Sequence, residues 1–240
     1  MKIQAVSDYY DDFVDQQRLS GVNDRIYRLY KLCIEWGLLP HSNVLELGCG
    51  IGAFTFLLSN FVKKGQLEAV DLSPKSIEFA KERIKKKNIS FSAGDVIDYK
   101  PALKSIDFIT LFDIIEHIPL ETHDRLFQNL SELANENTKI LINIPNPAYI
   151  EYDMDNNPDI LQIIDQPVPL SLIAKNLENY GLSLIYFKTY SIWVENDYQF
   201  FVIEKKKKFK EIKLSSKRTL FQKITKRLEK AYLNLRYRYV

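Results

Sequence analysis

The amino-acid sequence predicts an α/β fold: a doubly wound, mostly parallel sheet, a C-terminal antiparallel hairpin, and a basic C-terminal helix. Strand and helix patterns alternate between residues 42 and 144, as they do in a parallel sheet with helices on both faces. Residues 182–190 and 198–204 then form two strand patterns with no helix between them, which favours antiparallel pairing. Residues 205–240 begin with four lysines and continue as a basic amphipathic pattern, in which an apolar stripe recurs at helical spacing: Phe221, Ile224, Leu228, Ala231, Leu235 and Tyr239.

The elements follow in order along the chain. An amphipathic pattern over residues 22–37 ends at Gly37 and predicts a helix before the first strand. Apolar runs and turn residues then predict strands at 42–47, 66–71, 89–93, 106–112 and 138–144 and helices at 52–63, 74–87 and 121–135. Residues 146–168 contain three prolines and are expected to form a long loop at the ligand-binding edge, followed by a helix over 169–180.

The turn after the first strand is the most informative motif. Gly48, Gly50 and Gly52 separate a buried strand pattern from an apolar helix pattern. Glycine lets the backbone reverse and lets a ligand approach closely, so this is a nucleotide-binding strand–loop–helix unit. The loop alone leaves the ligand open, because its glycines and Ala53 also satisfy the dinucleotide-binding pattern.

Three carboxylates narrow the choice of ligand. Glu46 lies near the end of the first strand, where it favours a cationic ligand over a pyrophosphate. Asp71 ends the second strand, where an acid accepts ribose hydroxyls. Asp95 follows the third strand and offers an acceptor to an adenine amino group.

In this order the motifs resemble the class I methyltransferases, whose Rossmann-like fold binds S-adenosylmethionine. The resemblance covers about residues 22–204. It implies an enzyme with S-adenosylmethionine as cofactor. The cofactor contacts that it implies are Glu46, Gly48, Gly50, Asp71, Leu72, Asp95, Val96 and Phe112.

The family also implies an acceptor site after the fourth strand. His117 is the candidate catalytic base there, because an ordinary histidine is mostly neutral at pH 7; the alternative is a histidine that only shapes the loop. An N-terminal segment in the family often folds over the cofactor, so the aromatic and acidic residues 9–13 form either a lid or a docked leader helix. The candidate aromatic residues of the acceptor site are Tyr149, Tyr152, Tyr190 and Trp193.

Composition divides the chain into a methyltransferase domain over 1–204, whose residues 1–40 are the N-terminal lid or helix, and a basic tail over 205–240. The tail holds 14 basic and 2 acidic residues, a formal charge of +12, which leaves 19 basic and 29 acidic residues and −10 in the domain. The tail is therefore expected to bind an anionic membrane, with nucleic acid or an acidic protein as alternatives.

Other features of the sequence concern the compartment and metals. Cys33 and Cys49 suggest no disulfide framework, and no apolar run reaches the length of a membrane span. No metal site is predicted, because the three histidines lack paired ligand spacing. The expected location is the cytoplasm, peripheral on the inner face of the membrane.

For the reaction, the sequence favours O-methylation of a sugar on a membrane-linked glycan or glycolipid. Residues 164–167 and the general layout resemble methyltransferases of bacterial surface-polysaccharide pathways. Residues 116–119 also resemble the ubiquinone-biosynthesis methyltransferases, so a quinone, lipid precursor or other small molecule is the alternative acceptor. A nucleic-acid methyltransferase is less favoured, because residues 112–115 lack the Asn-Pro-Pro-Tyr type of motif. The remaining alternative is a non-catalytic interaction protein.

Overall fold

The computed structural model describes residues 3–211 and 217–237. The chain forms two compact units, one up to Lys206 and the other from Lys207 onward. The first unit contains a single seven-stranded sheet with helices on both faces, which confirms the predicted fold class.

The sheet has the strand order β3-β2-β1-β4-β5-β7-β6. Strands β1 to β5 are parallel, whereas β7 runs antiparallel to both β5 and β6, as the sequence predicted. Because β1 pairs with both β2 and β4, the strand order reverses there, and ligands bind at such a point beyond the carboxyl ends. The strands are β1 Val44–Leu47, β2 Leu67–Asp71, β3 Ile89–Ala93, β4 Phe108–Phe112, β5 Lys139–Pro145, β6 Leu182–Tyr190 and β7 Tyr198–Lys205.

Helices cover both faces of the sheet. Alternate residues of the central strands pack toward α5 and α7 on one face and toward α2 and α3 on the other, as the period of two requires. The helices of the first unit are α1 Ile3–Ser20, α2 Asp24–Glu35, α3 Ala53–Phe61, α4 Pro74–Arg83, α5 His123–Leu133, α6 Pro147–Asn156 and α7 Leu170–Asn179.

The sequence prediction was wrong over part of 146–168, where a loop was expected. Helix α6 fills much of this segment, and a short 3₁₀ turn follows at Pro158–Ile160. The helix starts there because the Asn146 side chain accepts a hydrogen bond from the Ala148 amide at 3.2 Å and Pro147 takes the first helical position. Helix α4 is shorter than predicted, because Ile84 is the last residue of its apolar face and exposed lysines follow.

The second unit contains helix α8, Leu220–Arg236, which confirms the predicted C-terminal helix. Thr219 and Gln222 begin it with reciprocal side-chain-to-backbone hydrogen bonds. Tyr239, predicted as part of the apolar stripe, lies outside the described residues. Across the described parts of the chain, no helix combines the length and apolarity needed to cross a bilayer.

Candidate active site

A cavity of about 720 Å³ opens at the carboxyl ends of the parallel strands. All the candidate cofactor-binding residues and the candidate base line it: Glu46, Gly48, Gly50, Asp71, Leu72, Asp95, Val96, Phe112 and His117. The structure thus brings together residues from four strand ends. We call the part lined by Gly48, Gly50, Asp71 and Asp95 the glycine-loop side, and the part around Arg25, Asp113 and His117 the ion-pair side.

The glycine loop has a backbone that other residues adopt only with strain. Gly48 and Gly50 have φ values of 81° and 51°, in the left-handed region. A Cβ on Gly48 would lie 1.9 Å from the Ile114 side chain, and one on Gly50 would lie 3.0 Å from Gln17 Oε1. The glycines therefore leave space beside the cavity as well as permitting the turn.

Asp71 fixes this loop from the end of β2. Its Oδ2 accepts the Gly50 N–H at 2.7 Å and its Oδ1 accepts the Ser73 N–H at 2.9 Å. Burial raises the pKa of the carboxyl, while these two amides act in the opposite direction. A carboxylate has about four acceptor sites, so Asp71 keeps acceptor capacity toward the cavity after binding both amides.

Glu46 lies deeper, with 5% of its surface exposed. Its Oε2 accepts a hydrogen bond from Thr55 Oγ1 at 2.7 Å. Burial raises the pKa of Glu46 to about 8, so the group is mostly protonated at pH 7. The negative charge expected from the sequence is therefore largely absent from Glu46 at neutral pH.

The other predicted residues complete the wall of the glycine-loop side. Asp95 accepts the Ile97 N–H at 2.9 Å in a tight turn, and Val96 is buried beside it. Phe112 packs edge-to-face on Phe54, with ring centroids 5.0 Å apart. This part of the cavity thus offers carboxylate acceptors between apolar walls.

Helix α1 lies along the same opening. Its Tyr10 and Gln17 line the cavity. Ser7 donates a hydrogen bond to the Leu72 carbonyl at 3.2 Å, and Asp11 accepts one from Ser73 Oγ at 2.5 Å. The segment predicted as a lid or leader helix, residues 9–13, is thus helical and beside the cavity; the side chains of residues 12 and 13 lie outside the described part of the chain.

On the ion-pair side, Arg25 of α2 meets Asp113. Arg25 Nη1 lies 2.8 Å from Asp113 Oδ2 and 3.1 Å from the Tyr198 hydroxyl. Asp113 adopts a left-handed φ of 56°, a conformation that aspartate tolerates better than most residues. Sequence reasoning missed Arg25, because its partner lies 88 residues away and no local motif marks the pair.

His117 belongs to the same side and has three oxygen neighbours. Its Nδ1 lies 2.6 Å from the Ile164 carbonyl oxygen and 3.0 Å from Asp165 Oδ1, and its Nε2 lies 3.9 Å from Glu116 Oε1. Glu116, Asp165 and the Ile164 carbonyl outweigh burial and raise the pKa of His117 to about 9. His117 is therefore mostly protonated at pH 7, contrary to the neutral form expected from an ordinary histidine.

The four candidate aromatic residues have different positions. Trp193 lines the cavity. Tyr190 is buried away from it, and its hydroxyl donates to Asn143 Oδ1 at 2.6 Å. Tyr149 and Tyr152 lie on α6 and do not line the cavity.

The chain is similar to proteins of known class. Residues 44–137 match a family model described as a methyltransferase domain. A malonyl-[acyl-carrier protein] O-methyltransferase of Ilyobacter polytropus is 29% identical over 117 residues, which are 48% of this chain and 42% of the relative. A trans-aconitate 2-methyltransferase of Mycobacterium tuberculosis is 32% identical over 115 residues, 48% of this chain and 41% of the relative. The chain spans less than half the length of these relatives.

Solved structures match over more of the chain. A magnesium protoporphyrin IX methyltransferase of Synechocystis, crystallised with S-adenosylhomocysteine, superposes with a TM-score of 0.67 at 17% identity, over 84% of this chain and 98% of the other. An S-adenosylmethionine-dependent methyltransferase of Clostridium acetobutylicum gives 0.61 at 14% identity, over 82% and 97%. Residues 44–137 are therefore similar to a methyltransferase domain, and the chain has the fold of the class I, S-adenosylmethionine-dependent methyltransferases.

Proposed function

We propose that this protein binds S-adenosylmethionine on the glycine-loop side and transfers its methyl group to an acceptor on the ion-pair side. The observation that carries the proposal is the pairing of the glycine loop with Asp71, whose carboxylate is fixed by the Gly50 amide and faces the cavity. Residues of the right chemistry are present for each part of the cofactor: Asp71 for the ribose hydroxyls, Asp95 for the adenine amino group, and Glu46 for the cationic end.

When bound, the cofactor supplies an electrophilic methyl group on a sulfonium. The chain has to align the acceptor with that group and exclude water, and such positioning can contribute about 7–11 kcal/mol to lowering the barrier. Phe112 and Ile114 wall the cavity near the ion-pair side, and α1 covers part of the opening. A hydroxyl acceptor also needs a base, and His117 is the candidate that lines the cavity.

For the acceptor we propose a hydroxyl of a sugar on a membrane-linked glycan or glycolipid. The ion-pair side combines planar polar side chains with the indole of Trp193, a suitable lining for a ring that bears hydroxyls. The basic tail supports a membrane-linked acceptor, because it would hold the enzyme close to an anionic lipid surface.

Two measurements test this proposal. Calorimetry with S-adenosylmethionine should give one site per chain. Transfer of a radiolabelled methyl group should then label a lipid-linked saccharide fraction, and the label should resist mild alkali, because methyl ethers do not hydrolyse there. Absence of cofactor binding would exclude the methyltransferase activity, and labelling of protein or RNA instead would exclude the glycan.

A carboxylate is the second candidate acceptor, favoured by Arg25 in the cavity wall and by relatives named as methyltransferases of malonyl-[acyl-carrier protein] and trans-aconitate. An arginine fork matches carboxylate geometry. The product would be a methyl ester, so mild alkali would release the label as methanol. The same experiment therefore separates the two candidates.

We further propose that the tail binds anionic membranes. Apolar residues of α8 are largely exposed at helical spacing, with Phe221 75%, Ile224 55%, Leu228 65% and Leu235 70% accessible. An anionic leaflet attracts each nearby basic residue by about 1 kcal/mol, and the apolar stripe would then enter the interface.

The test of the tail uses the full chain and vesicles. Phe221→Ser with Leu228→Ser keeps every charge but removes two of the four exposed apolar side chains of the stripe. If charge attraction and apolar insertion both contribute, this variant should pellet with phosphatidylglycerol vesicles at low salt. It should detach near 1 M salt, where the screening length is about 3 Å. The wild type should remain partly bound at that salt concentration. No pelleting of the wild type would exclude membrane binding.

A further inference from the structure

The loop between β6 and β7 is built around one buried carboxylate. Asp197 is 1% exposed and accepts the amide N–H groups of Ile192, Trp193 and Val194 at 2.8, 2.9 and 3.1 Å. Three amides converging on one carboxylate fix the backbone of a short loop, because charge-assisted hydrogen bonds are stronger than neutral ones.

The same loop is tied to its neighbours. The Asn146 amide donates to the Asp197 carbonyl at 2.7 Å, its side chain donates to the Asn196 carbonyl at 2.9 Å, and Arg28 donates to the Ser191 carbonyl at 2.9 Å. The loop is therefore anchored to both α2 and the start of α6. Such anchoring indicates a preformed shape rather than a loop that adapts on binding.

The anchored loop presents an exposed indole at the cavity. Trp193 lines the cavity and leaves 60% of its surface accessible. Its ring forms a T-shaped contact with Tyr198 at a centroid distance of 5.9 Å, and the Arg25 guanidinium lies 5.8 Å from the Trp193 centroid. Tyr198 and Arg25 thus hold the ring from the protein side. Exposure of so large an apolar side chain on a rigid support is typical of a binding surface.

Two polar groups that line the same cavity lack partners within the described residues. Arg25 Nε and Gln162 Oε1 are buried without a hydrogen-bond partner, and both residues line the same cavity as Trp193. A buried donor and a buried acceptor without partners cost free energy, so a ligand that supplies hydroxyl groups there would satisfy both. The combination of a flat apolar face with nearby hydrogen-bonding groups matches a pyranose ring, which has a C–H face and hydroxyls around its edge.

We infer that Trp193 is the acceptor-binding platform, onto which the C–H face of a sugar ring stacks, and that Asp197 is the positioning residue that holds it. This inference rests on the proposed methyltransferase function and names the acceptor class of the same site. Trp193 would determine acceptor affinity without contributing to the transfer step.

The test uses the fluorescence of Trp193. The chain has only two tryptophans, Trp36 and Trp193, so the Trp36→Phe variant of the full chain reports on Trp193 alone. This variant, saturated with S-adenosylhomocysteine, is titrated with methyl glycosides of hexoses and 6-deoxyhexoses, with a hydroxybenzoate as a quinol-like ring, and with a dicarboxylate. A saturable change with at least one glycoside and none with the other two probes is the expected result.

Variants in the full chain then test the assignment. Trp193→Ala should raise the KM for the responsive glycoside, or its Kd in competition, about tenfold, which corresponds to about 1.4 kcal/mol. Trp193→Phe should recover part of this loss and leave kcat unchanged. Asp197→Asn should shift the Trp193 emission and raise KM in the same direction. Val194→Ala, which changes an exposed neighbour on the same loop, is the matched control and should behave as wild type.

Each outcome separates the inference from the proposed function. If calorimetry finds no cofactor binding in the wild type, the methyltransferase proposal fails first. If the cofactor binds and no glycoside changes the Trp193 emission, or if only the hydroxybenzoate or the dicarboxylate does, the sugar platform is wrong while the methyltransferase proposal stands. An unchanged KM in Trp193→Ala would overturn the platform in the same way.

Discussion

The glycine-loop side and the ion-pair side of one cavity are constructed differently. The glycine-loop side comes from residues 46–112, and its shape is set mainly by backbone groups: the positive φ of Gly48 and Gly50, and the Gly50 N–H that donates to Asp71. The ion-pair side takes its groups from residues 25 to 193, and its shape is set by contacts between charged side chains. We therefore expect cofactor binding on the glycine-loop side to be most sensitive to added steric bulk. Methyl transfer, which depends on the ion-pair side, should be most sensitive to changes of charge or pH.

Added steric bulk in the glycine loop should give the largest loss of cofactor affinity. Gly50→Val places a β-branched side chain at a φ of 51° and 3.0 Å from Gln17 Oε1, in the space that the cofactor would enter. We expect affinity for S-adenosylmethionine, measured by calorimetry, to fall by at least about a hundredfold, or about 2.7 kcal/mol, because the added side chain would occupy space that the cofactor needs. Gly181→Val is the matched control, because Gly181 has a φ of 62° with no atom within 4 Å of the added Cβ. Equal affinity losses in the two variants would mean that strain, not the site, explains the result.

The charge part of the comparison predicts a strong pH dependence. If His117 is the base, its pKa of about 9 leaves about 1% in the neutral form at pH 7 and half at pH 9. The rate of methyl transfer should then rise about fiftyfold over that interval at saturating substrate. His117→Gln should be slow and show a flat profile, with its cofactor Kd unchanged.

The control for this prediction is the pH dependence of the free energy of unfolding, measured on the wild type and the His117 variant. The pKa of His117 is raised on folding, so its contribution to the free energy of unfolding is complete below about pH 6.5 and is lost as pH rises through about 9. Asp165→Asn should lower the pKa and move both transitions to lower pH. A wild-type rate that stays flat from pH 7 to 9 would assign His117 to holding the 164–165 segment rather than to catalysis.

The glycine-loop side could be predicted from the sequence to a greater extent than the ion-pair side. The loop of Gly48 and Gly50 and the acids Asp71 and Asp95 could be predicted, because they follow strand patterns at fixed spacing. Their common cavity follows from parallel strands, whose carboxyl ends share one edge. Arg25 could not be predicted, since its contact with Asp113 depends on how α2 packs against the sheet.

The protonation state of His117 also could not be predicted from the sequence. Glu116 adjoins His117 in the sequence, but Asp165 raises the pKa of His117 only because the 164–165 segment lies against the turn after β4. Helix α6 was also missed, because three prolines between residues 146 and 168 suggested a loop, although Pro147 in fact occupies a favourable first helical position.

Asp71→Asn tests the glycine-loop side at smaller amplitude. The amide keeps one oxygen but turns an N–H₂ toward either the Gly50 or the Ser73 amide, so one of the two hydrogen bonds is lost and the other is no longer charge-assisted. We expect affinity for S-adenosylmethionine to fall about 10–30-fold, or about 1.4–2 kcal/mol, which is the lower part of the range of about 1.5–3 kcal/mol for a hydrogen bond to a charged group. Asp155→Asn on the exposed face of α6 is the control. A Kd equal to that of the control would remove Asp71 from the cofactor site.

The smallest effect on cofactor affinity is expected at Glu46, which lies on the glycine-loop side but acts through its charge. Glu46 lines the glycine-loop side, yet its behaviour is electrostatic, because burial raises its pKa to about 8. Glu46→Gln keeps an oxygen for Thr55 Oγ1 and resembles the protonated acid that prevails at pH 7. Affinity for S-adenosylmethionine should therefore change by less than about tenfold at pH 7, which is less than 1.4 kcal/mol.

The informative measurement for Glu46 is proton release rather than affinity. A cationic cofactor near Glu46 favours its carboxylate and lowers its pKa, so binding at pH 7 should release up to about one proton from a group that starts mostly protonated. Calorimetry in two buffers of different ionisation enthalpy measures that proton directly. Wild type should release it and Glu46→Gln should not, and S-adenosylhomocysteine, which lacks the sulfonium charge, should release less. Equal proton release from wild type and Glu46→Gln would show that the cationic end of the cofactor lies away from Glu46.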